Sequence, residues 1–547
     1  MKRKALVMAA LAAAITASAA NLQWTIAGKT FSVDTLEHYK IGPGTTMTVL
    51  ALQSGSTKEK LWVTTSDLTA EGLEVRSTCG KGPLKSTWQV SKQIEAQKGD
   101  GHIYFAAINS DLFSTTGPIG TTVLDGEIYK TAKGSTAWRA MAIDESQNKL
   151  IIGNPGVQFG AKLNGKTEYA PSLVNVPRET GECILYTRRW GTTTGTKSGD
   201  AGVEVVLRPA DGVLYSDKPT ECVVMGSPEV NKGNRAIPEG CIVISSNIAN
   251  HIRDLGKLAN GDKYVITPRS WSLEGVGFGN THQFSEMKWM NGGNCELMAN
   301  GELRPAVYSY TPGYDGRRPR TGIGTDASKQ RMMMVVVDGD AKNSGISAGM
   351  TTQELAETLK SLGCTEALYL DGGGSSTMYT SFFGVINRPS DSAGERAVST
   401  TWCLTTPDKG DNTVASIEFV DPHKTLAIGA KYTPSFYGYN AAGLLVAKNV
   451  AGVTLSAPAG LGTVSADGKT LTVTGNGTYA LKASVGGKTC SIAIRAGNYL
   501  AGVPELDSLG ENDEPAQYFD MQGRPVDNPV AGVYICRRGS KTYKIIL

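Results

Sequence analysis

The sequence predicts an α+β fold, in which a catalytic domain built on a mixed β-sheet with a strand–helix–strand unit is followed by a small β-sandwich. Glycine is frequent, at 65 of 547 residues, and long helical patterns are few. Short runs rich in Val, Thr, Ile and Tyr recur between turn signals, which favours strands. One clear amphipathic helical pattern, within 347–363, lies between two apolar runs. The length allows about three folded units.

The composition narrows the classes of function. The formal net charge is only +3, which argues against nucleic-acid binding through a broad basic surface. Nine cysteines occur without a C-x-x-C pair, and five histidines occur without the H-x-x-x-H spacing of a helix-borne metal site. The sequence therefore offers few residues that could form a Ser-His-Asp triad or a zinc centre. Carboxylates, hydroxyls and arginines become the candidates for chemistry.

Residues 1–20 have the three parts of a secretory signal peptide. Lys2–Lys4 is basic, Ala5–Ile15 is apolar, and Ala17–Ala19 is a small-residue cleavage site. The apolar stretch is shorter than the ~20 residues that a membrane span needs, which favours a cleaved signal peptide. A short membrane anchor is the alternative interpretation. We expect a protein that is secreted or held at the cell surface or in the periplasm, without an integral membrane span.

Changes in sequence texture predict the domain boundaries. From about 413 the charge falls, and short alternating stretches between turns are typical of a small immunoglobulin-like sandwich. A later acidic, turn-rich stretch has the composition of a linker. The predicted segments after the signal peptide are a β-rich N-terminal part of the catalytic unit at 21–99, the main catalytic domain at 100–406, the Ig-like sandwich at 413–496, a linker at 497–516 and a C-terminal tail at 517–547.

The C-terminal tail has the pattern of a compact β unit. Tyr518–Arg524 carries D-x-x-G-R, Gly532–Ile535 begins with G-x-Y, and Tyr543–Leu547 closes the chain. This pattern resembles the C-terminal sorting tails of proteins exported by type IX secretion, which implies the export machinery as a partner. A simple terminal hairpin is the alternative.

Two predicted strands of the catalytic domain end at aspartates. Met332–Val337 is a continuous apolar run that stops at Asp338, and Glu366–Leu370 stops at Asp371. If the two strands are parallel neighbours joined by a right-handed crossover, both aspartates lie at one end of the sheet, where open α/β sheets place their sites. Antiparallel pairing would separate the aspartates.

The segment between these strands predicts a helix with defined ends. Thr351 and Glu354 have the spacing of a capping box, and Gly363 suits the position just after a helix. The residues expected on the apolar face of the helix are Leu355, Ala356, Leu359 and Leu362.

A glycine-rich turn follows Asp371 directly. Three glycines let the backbone adopt positive φ and approach a ligand closely, and successive N–H groups in such a turn can bind an anion. The turn lacks the G-K-[ST] of a Walker A loop, and a tight solvent-facing turn is the alternative reading. The candidate binding residues are Gly372, Gly373, Gly374, Ser375 and Ser376.

Arginine-bearing segments flank the turn along the chain. Arg317–Gly324 precedes the first strand, and Asn387–Ala397 follows the turn. A guanidinium binds phosphate through two parallel charge-assisted hydrogen bonds, so the two segments together predict an anion pocket. Each Arg-Pro alone is typical of a surface loop. The candidate phosphate- or substrate-binding residues here are Arg320, Thr321, Arg388, Glu395 and Arg396.

Several ordered motifs resemble the phosphodiester glycosidase family over about 100–406. They are Ala107–Phe113, Pro319–Gly324, Val335–Gly339, Ser347–Glu354, Tyr369–Met378, Asn387–Asp391 and Glu395–Val398. The sequence departs from the family pattern at supporting positions, with Tyr369 in place of Asn, Leu112 in place of Phe and Gly322 in place of Ala.

The resemblance implies an enzyme that hydrolyses the bond between C1 of a sugar and a phosphodiester, with N-acetylglucosamine or a related sugar in the substrate. Most glycosidases need two carboxylates because an alkoxide leaves poorly without a general acid. A phosphate monoester has a second pKa of about 6 and leaves with little protonation. One carboxylate, aided by a pocket of arginine and backbone donors, would therefore suffice.

Within this hypothesis Asp371 is the expected catalytic carboxylate, as nucleophile or as base toward water. Asp338 or Asp391 is the second candidate. A divalent cation is left open, with Asp111 or Asp338 as a ligand, and no other cofactor is expected.

The remaining candidates are expected to hold the substrate. Arg320 and Arg388 would hold the phosphate, while Asn109, Ser375 and Ser376 would position sugar or phosphate oxygens. Two other classes of function compete with this one. The chain could be a non-catalytic glycan-binding surface protein, or it could be a phosphodiesterase that cleaves P–O instead of C–O.

Overall fold

The computed structural model describes the chain from residue 22 onward with gaps. The predicted signal peptide and residues 498–516 of the predicted linker lie outside the described residues. The larger compact unit is Gln23–Ser416 with Tyr437–Lys448, and the smaller one contains Ile417–Phe436 and the described residues from Asn449 onward. The described ranges are 22–133, 138–155, 159–268, 271–274, 280–282, 287–339, 345–421, 423–497, 517–519, 533–538 and 541–546.

The larger unit contains a nine-stranded sheet that carries both aspartate-ended strands. Each pair of neighbouring strands between Lys29–Gly42 and the edge strand Glu302–Leu303 is antiparallel. Arg331–Val337 is buried on both faces, as its continuous apolar sequence predicts. In spatial order the strands are Leu22–Ile26, Lys29–Gly42, Thr45–Ser54, Thr57–Asp67, Arg331–Val337, Arg320–Thr325, Glu366–Tyr369, Glu296–Ala299 and Glu302–Leu303.

The helix Thr352–Ser361 packs against this sheet, as the sequence predicts. The Glu354 N–H donates to Thr351 Oγ1 at 3.1 Å, and the Thr351 N–H donates to the Glu354 carboxylate at 2.9 Å, which completes the capping box. Gly363, just after the helix, has a φ of +93° that favours glycine. The residues that share one buried core with the sheet are Leu355, Ala356, Leu359, Met333, Val335 and Val337.

The two aspartate-ended strands run in the same direction but do not pair with each other. The strand Arg320–Thr325 lies between them and is antiparallel to both. Asp338 and Asp371 therefore follow their strands at the same end of the sheet, as expected, and Arg320 begins the middle strand at that end. The expected direct pairing is wrong, because an antiparallel strand occupies the position between the two.

The glycine-rich turn joins this sheet to a second, five-stranded sheet. The strand after the turn pairs with the strand that ends at Asn109. The turn is thus held at the junction of two sheets. The strand order of the second sheet is Gly384–Val385, Met378–Thr380, His102–Asn109, Thr400–Pro407 and Glu74–Cys79.

The segment from 113 to 292 supplies most of the other strands of the larger unit. One five-stranded sheet has the order Glu127–Lys130, Thr122–Leu124, Trp289–Gly292, Ala140–Asp144 and Lys149–Gly153. Another sheet has the order Lys166–Glu168, Phe159–Leu163, Lys263–Pro268, Thr220–Val224, Val203–Pro209, Ile242–Ser246, Cys183–Tyr186 and Leu173–Val174, with Glu229–Val230 beside Val203–Pro209. The two-stranded pairs are Phe113–Ser114 with Gly117–Pro118, Trp88–Gln89 with Ala397–Val398, and Trp271–Glu274 with Asn280–His282.

The segments after 412 consist of short strands, as their texture predicts. The strands are Ser416–Phe419, Lys424–Leu426, Lys431–Tyr432, Phe436–Tyr439, Leu445–Ala447, Thr454–Ser456, Gly462–Val464, Leu471–Val473, Gly477–Val485 and Lys488–Ala496. The tail contributes Gln517–Phe519, Val533–Arg538 and Lys541–Ile546 in one antiparallel sheet. An immunoglobulin-like topology and a sorting role for the tail stay predictions.

The predicted α+β class overstates the helix content, because the chain is mostly β. Within the described ranges the α-helices are Val90–Glu95, Ala249–Leu255 and Thr352–Ser361, with 3₁₀ turns at Pro305–Tyr310 and Gly373–Ser375. From Lys29–Gly42 onward the strands of the aspartate-bearing sheet are antiparallel neighbours. The sheet that contains Cys183–Tyr186 is mixed, because Leu173–Val174 pairs with that strand in parallel. No helix in the described part of the chain has both the length and the apolar character to cross a membrane.

Candidate active site at the Asp371 turn

Asp371 occupies the junction between the two sheets, and the residue as a whole is partly buried. Its backbone is fixed on both sides, because its N–H donates to the Ser110 carbonyl at 2.8 Å and its carbonyl accepts from Asn109 Nδ2 at 2.6 Å. Burial raises the pKa of the Asp371 carboxyl to about 6, against the hydrogen bond from Ser375 and the positive charge of Arg396. This carboxylate can change its protonation state near neutral pH.

The glycine-rich turn is compact and uses most of its own N–H groups. The Gly372 N–H donates to Asp371 Oδ1 at 3.0 Å, and the Gly373 N–H donates to the Pro319 carbonyl at 2.9 Å. The N–H groups of Ser375 and Ser376 donate to carbonyls within the turn. The expected anion nest of successive N–H donors is therefore wrong, because four of these donors already bond within the protein.

Two glycines of the turn are required by close approach. A Cβ on Gly372 would lie 2.4 Å from the Tyr369 hydroxyl oxygen, and a Cβ on Gly374 would lie 2.0 Å from Asp391 Oδ1. Gly373 has a φ of +60°, which favours glycine although the space around it is open. The glycines serve the packing of the turn against the chain on either side.

Asn109 fastens the turn and does not reach a substrate. Its side chain is fully buried, and its Oδ1 accepts from Thr321 Oγ1 at 2.9 Å and from the Thr377 N–H at 3.1 Å. Thr321 Oγ1 also lies 3.1 Å from Ser376 Oγ, and both hydroxyls are buried. The substrate-positioning role expected of Asn109, Thr321 and Ser376 is corrected to a structural one, because their polar atoms face one another.

Arg320 is fully buried, and its guanidinium is committed to the protein. Nε donates to the Met350 carbonyl at 2.8 Å, and Nη2 donates to the Gly313 and Gly316 carbonyls at 2.6 and 2.8 Å. Nη1 donates to the Tyr369 hydroxyl at 3.0 Å and to the Pro312 carbonyl at 3.4 Å. All five N–H donors are thus used. These contacts give no support to the expectation that Arg320 holds the phosphate.

Asp338 lies at the same end of the sheet but is only 2% exposed. Its carboxylate accepts from the Arg388 N–H at 3.1 Å and from Asn387 Nδ2 at 3.1 Å, so it anchors the segment that carries Arg388. Burial raises the pKa of Asp338 to about 6. The alternative role of Asp338 as the catalytic carboxylate is corrected to that of an anchor, because the group faces the protein interior.

Asp391 and Arg396 form an ion pair that packs on the turn. Arg396 Nε and Nη2 donate to the two Asp391 oxygens at 2.7 and 2.8 Å, and Nη1 lies 3.5 Å from the buried Ser375 hydroxyl. The Arg396 side chain is 42% exposed. Ser375 in turn bonds to the Asp371 carboxylate. The predicted Asp371, Ser375, Asp391 and Arg396 are therefore brought together, with Asp391 as the residue that positions the guanidinium.

The other two predicted residues of this loop have different surroundings. The side chain of Arg388 is exposed, while its N–H is bound by Asp338. Glu395 accepts from the Ser91 N–H at 2.8 Å and from Ser91 Oγ at 2.6 Å. The expected phosphate-holding role of Arg388 stays a prediction. Glu395 ties the loop to another segment, and its predicted role in substrate binding is corrected accordingly.

Asp111 lies close enough to Asp371 to interact electrostatically with it. The side chain is 1% exposed, and Oδ2 accepts from the Gly120 N–H at 2.6 Å. Burial raises the pKa of Asp111 to about 8, and the charge of Asp371 adds to this rise. Within the described ranges, no group of three or more His, Cys, Asp or Glu side chains is arranged to hold a metal. The open question of a cation at Asp111 or Asp338 gains no support.

Sequence reasoning missed the segment Thr87–Lys92, which lines a cleft together with Asp391–Ala397. Trp88 and Gln89 pair with Val398 and Ala397, although some 300 residues separate them along the chain. No local motif signals this pairing. Sequence reasoning also missed the structural role of Tyr369, whose hydroxyl accepts a hydrogen bond from Arg320 and packs against Gly372.

Comparison with known proteins relates this site to one family. Residues 211–405 match the family model described as phosphodiester glycosidase. The match starts later than the expected 100 and ends near the expected 406. It includes Arg320, Asp371 and Arg396, whereas Asn109 and Trp88 precede it. No curated protein matches the chain.

Several solved structures are similar to the chain. A hypothetical protein from Synechocystis is 17% identical, with a TM-score of 0.50 over 66% of this chain and 62% of the other, so this chain spans less than two thirds of that protein. This likeness supports the fold alone. A putative exported protein from Burkholderia pseudomallei is 18% identical, with a TM-score of 0.48 over 65% and 77% of the two chains. The catalytic domain of zebrafish N-acetylglucosamine-1-phosphodiester alpha-N-acetylglucosaminidase, auto-inhibited by its pro-peptide, is 14% identical, with a TM-score of 0.32 over 68% and 87%.

Proposed function

We propose that the protein is an exported hydrolase that cleaves a sugar-1-phosphodiester at the C1–O bond, with N-acetylglucosamine or a related sugar on the C1 side. One observation carries the proposal. The half-buried Asp371, in the segment that matches the phosphodiester glycosidase model, lies beside Ser375 and the guanidinium of Arg396. A titratable carboxylate next to an exposed cation suits a neutral sugar carbon joined to an anionic leaving group.

The chemistry requires one carboxylate and one anion-binding site. The oxygen of water forms the new bond to C1, and the electron pair of the old C1–O bond leaves with the phosphate monoester. Ionised Asp371 accepts the proton of the attacking water, or it attacks C1 first and water then releases the sugar. The monoester leaves as an anion with a second pKa of about 6, so it needs no strong general acid.

The cations that would face the phosphate are Arg396 and Arg388. Both residues are exposed. The guanidinium of Arg396 is held by the Asp391 carboxylate, whereas Asp338 holds the backbone N–H of Arg388. A fixed guanidinium stabilises the charge that develops on the leaving phosphate without reorganising during the reaction. This pair replaces the Arg320 and Arg388 pair that the sequence suggests.

Export is the remaining part of the proposal. Its support is the three-part signal pattern in residues 1–20 and the pattern of the C-terminal tail. The substrate would then be a glycan or a polymer outside the cell that contains sugar-1-phosphodiester links.

The Asp371→Asn variant tests the proposed function. Sugar-1-phosphodiesters are incubated with both proteins, and release of free sugar and phosphate monoester is measured. We expect wild-type turnover and a loss of about 10²–10⁴-fold in the variant, with the melting temperature retained. Asp217→Asn, a change at an exposed aspartate elsewhere, is the matched control. Retained activity in D371N would refute the assignment.

A further inference from the structure

A cleft of about 540 Å³ lies beside the glycine-rich turn that follows Asp371. One wall is the loop Asp391–Ala397, whose Arg396 contacts Ser375, and the other wall is the segment Thr87–Lys92. The volume is within the range of about 300–1,000 Å³ that is usual for ligand sites. The guanidinium that we assign to the phosphate therefore also borders this cleft.

The two walls of the cleft are fastened to each other at several points. Trp88–Gln89 pairs with Ala397–Val398 as a short antiparallel ladder, and Gln89 Nε2 donates to the Glu395 carbonyl at 3.0 Å. The Glu395 carboxylate binds Ser91 through two hydrogen bonds. Buried Gln93 donates to the Trp88 and Val398 carbonyls at 3.0 and 2.9 Å. The cleft is therefore preformed.

Trp88 gives this cleft an aromatic surface. Gly80 packs against the five-membered ring of the indole, since a Cβ there would lie 2.4 Å from Trp88 Cδ1. The half-buried indole also lines the cleft, together with the exposed side chain of Lys92, whose ammonium donates to the Glu95 carboxylate at 2.8 Å and keeps further N–H donors. An aromatic face with its negative quadrupole packs well on the C–H face of a sugar ring, and an ammonium donates hydrogen bonds to hydroxyls.

We propose that this cleft binds the alcohol side of the phosphodiester, and that the occupant is a second sugar ring stacked on Trp88. The inference rests on the proposed function, which places the phosphate at Arg396. A ring joined to that phosphate enters the cleft that begins at the same guanidinium. Trp88 is then a specificity-determining residue, and Lys92 binds the hydroxyls of the ring.

Two substrates with the same sugar-1-phosphate test this inference. One carries a hexose on the phosphate and the other carries a methyl group. The wild-type protein is expected to have the higher kcat/KM for the hexose diester, and Trp88→Ala is expected to reduce that preference about tenfold. Trp88→Phe should keep most of it, and Tyr215→Ala, a change at an aromatic residue outside the cleft, should keep all of it. An equal loss on both substrates in W88A, or no wild-type preference, would overturn the inference.

A direct binding measurement separates failure of the subsite from failure of the proposed function. Saturation-transfer NMR with a hexose 6-phosphate, a product-side monoester, is carried out on wild-type protein and on W88A. Transfer to the ring protons that is lost in W88A supports the subsite even if neither diester is hydrolysed, in which case the proposed function alone fails. Equal signals in both proteins refute the subsite. If W88A does not fold, Trp88→Leu provides the same comparison.

Discussion

At Asp371, burial and two neighbouring side chains shift the pKa of the carboxyl group in opposite directions. Burial raises its pKa to about 6, while Ser375 and Arg396 favour the ionised form. A group poised in this way suits proton transfer near neutral pH, whereas a fully solvated aspartate has a pKa of about 3.9. The environment, more than the residue type, supports the proposal that Asp371 is the catalytic carboxylate.

The pH dependence of kcat/KM is the first prediction at this scale. If Asp371 acts as the ionised form, kcat/KM falls about tenfold per pH unit below about 6, because that parameter reports the free enzyme. The profile is measured by initial rates at fixed ionic strength. Asp338→Asn should keep the same inflection, since Asp338 faces the interior. A flat wild-type profile from about pH 5 to 7 would contradict the assignment.

Acid unfolding caused by these two aspartates would not explain such a loss. The pKa values of Asp371 and Asp338 are raised to about 6 in the folded protein, so the folded state binds more protons than the unfolded chain between about pH 4 and 6. Their contribution to stability therefore falls as pH rises through this window and is largest below it. Lower pH favours folding through these two groups while it lowers the proposed activity.

Arg320 and Arg396 give the second prediction, because the guanidinium of Arg320 is bound to buried protein groups, whereas we propose that Arg396 binds the phosphate. Arg320→Lys leaves several buried carbonyls without donors, so we expect it to lower the free energy of unfolding by about 2–4 kcal/mol. Arg396→Lys should leave stability almost unchanged and lower kcat/KM at least about tenfold. Denaturant unfolding and kinetics are measured on both variants. If R320K kept full stability while losing phosphate affinity, the corrected role of Arg320 would be wrong.

At the scale of elements, the loop Asp391–Ala397 connects the two sides of the candidate site. Its Arg396 contacts Ser375 of the glycine-rich turn, and its Glu395 binds Ser91 in the segment after Trp88. Both contacts join residues that are far apart in sequence. The position of the guanidinium that we assign to the phosphate therefore depends on a tie that lies outside the glycine-rich turn.

This tie gives the third prediction. Glu395→Ala removes both hydrogen bonds of this tie, so it should lower kcat/KM about three- to tenfold by loosening the loop, whereas Ser91→Ala removes only the hydroxyl bond and should have a smaller effect. Because the two residues contact each other, the double variant should lose little more than Glu395→Ala alone. Steady-state kinetics on the four proteins gives the coupling. Fully additive losses would show that Glu395 and Ser91 act separately.

The elements also show what the sequence predicts and what it does not. The helix Thr352–Ser361 was predictable because its cap, apolar face and terminal glycine are local signals. The shared end of the two aspartate-bearing strands followed from the direction of the crossover. The antiparallel strand Arg320–Thr325 between them was not predictable, since strand pairing depends on contacts between distant segments.

The same distinction applies to the site. Asp371, Ser375 and Arg396 were identified from residue type and order. The sequence pattern could not separate an arginine proposed to bind phosphate from one that binds carbonyls, because Arg320 and Arg396 both lie in glycine-containing stretches of the sequence. Burial separates them, and burial is a property of the folded chain. Trp88 was missed because its partners in the cleft lie about 300 residues away.

At the scale of the whole molecule, two sheets meet at one glycine-rich turn, and the candidate active site is that junction. The phosphodiester glycosidase match covers 211–405, whereas Asn109 and Trp88, which support the site from the second sheet and the cleft, lie before it. The segment before the match therefore belongs to the same functional unit.

The central claim is that the C1–O bond is the one that breaks, and hydrolysis in ¹⁸O-labelled water tests this claim most directly. The label is measured by mass spectrometry in the phosphate monoester, because the C1 hydroxyl of a free sugar exchanges its oxygen with water. We predict an unlabelled phosphate, since water attacks C1 and the bridging oxygen leaves with phosphorus. One labelled oxygen in the phosphate would show P–O cleavage and would contradict the account.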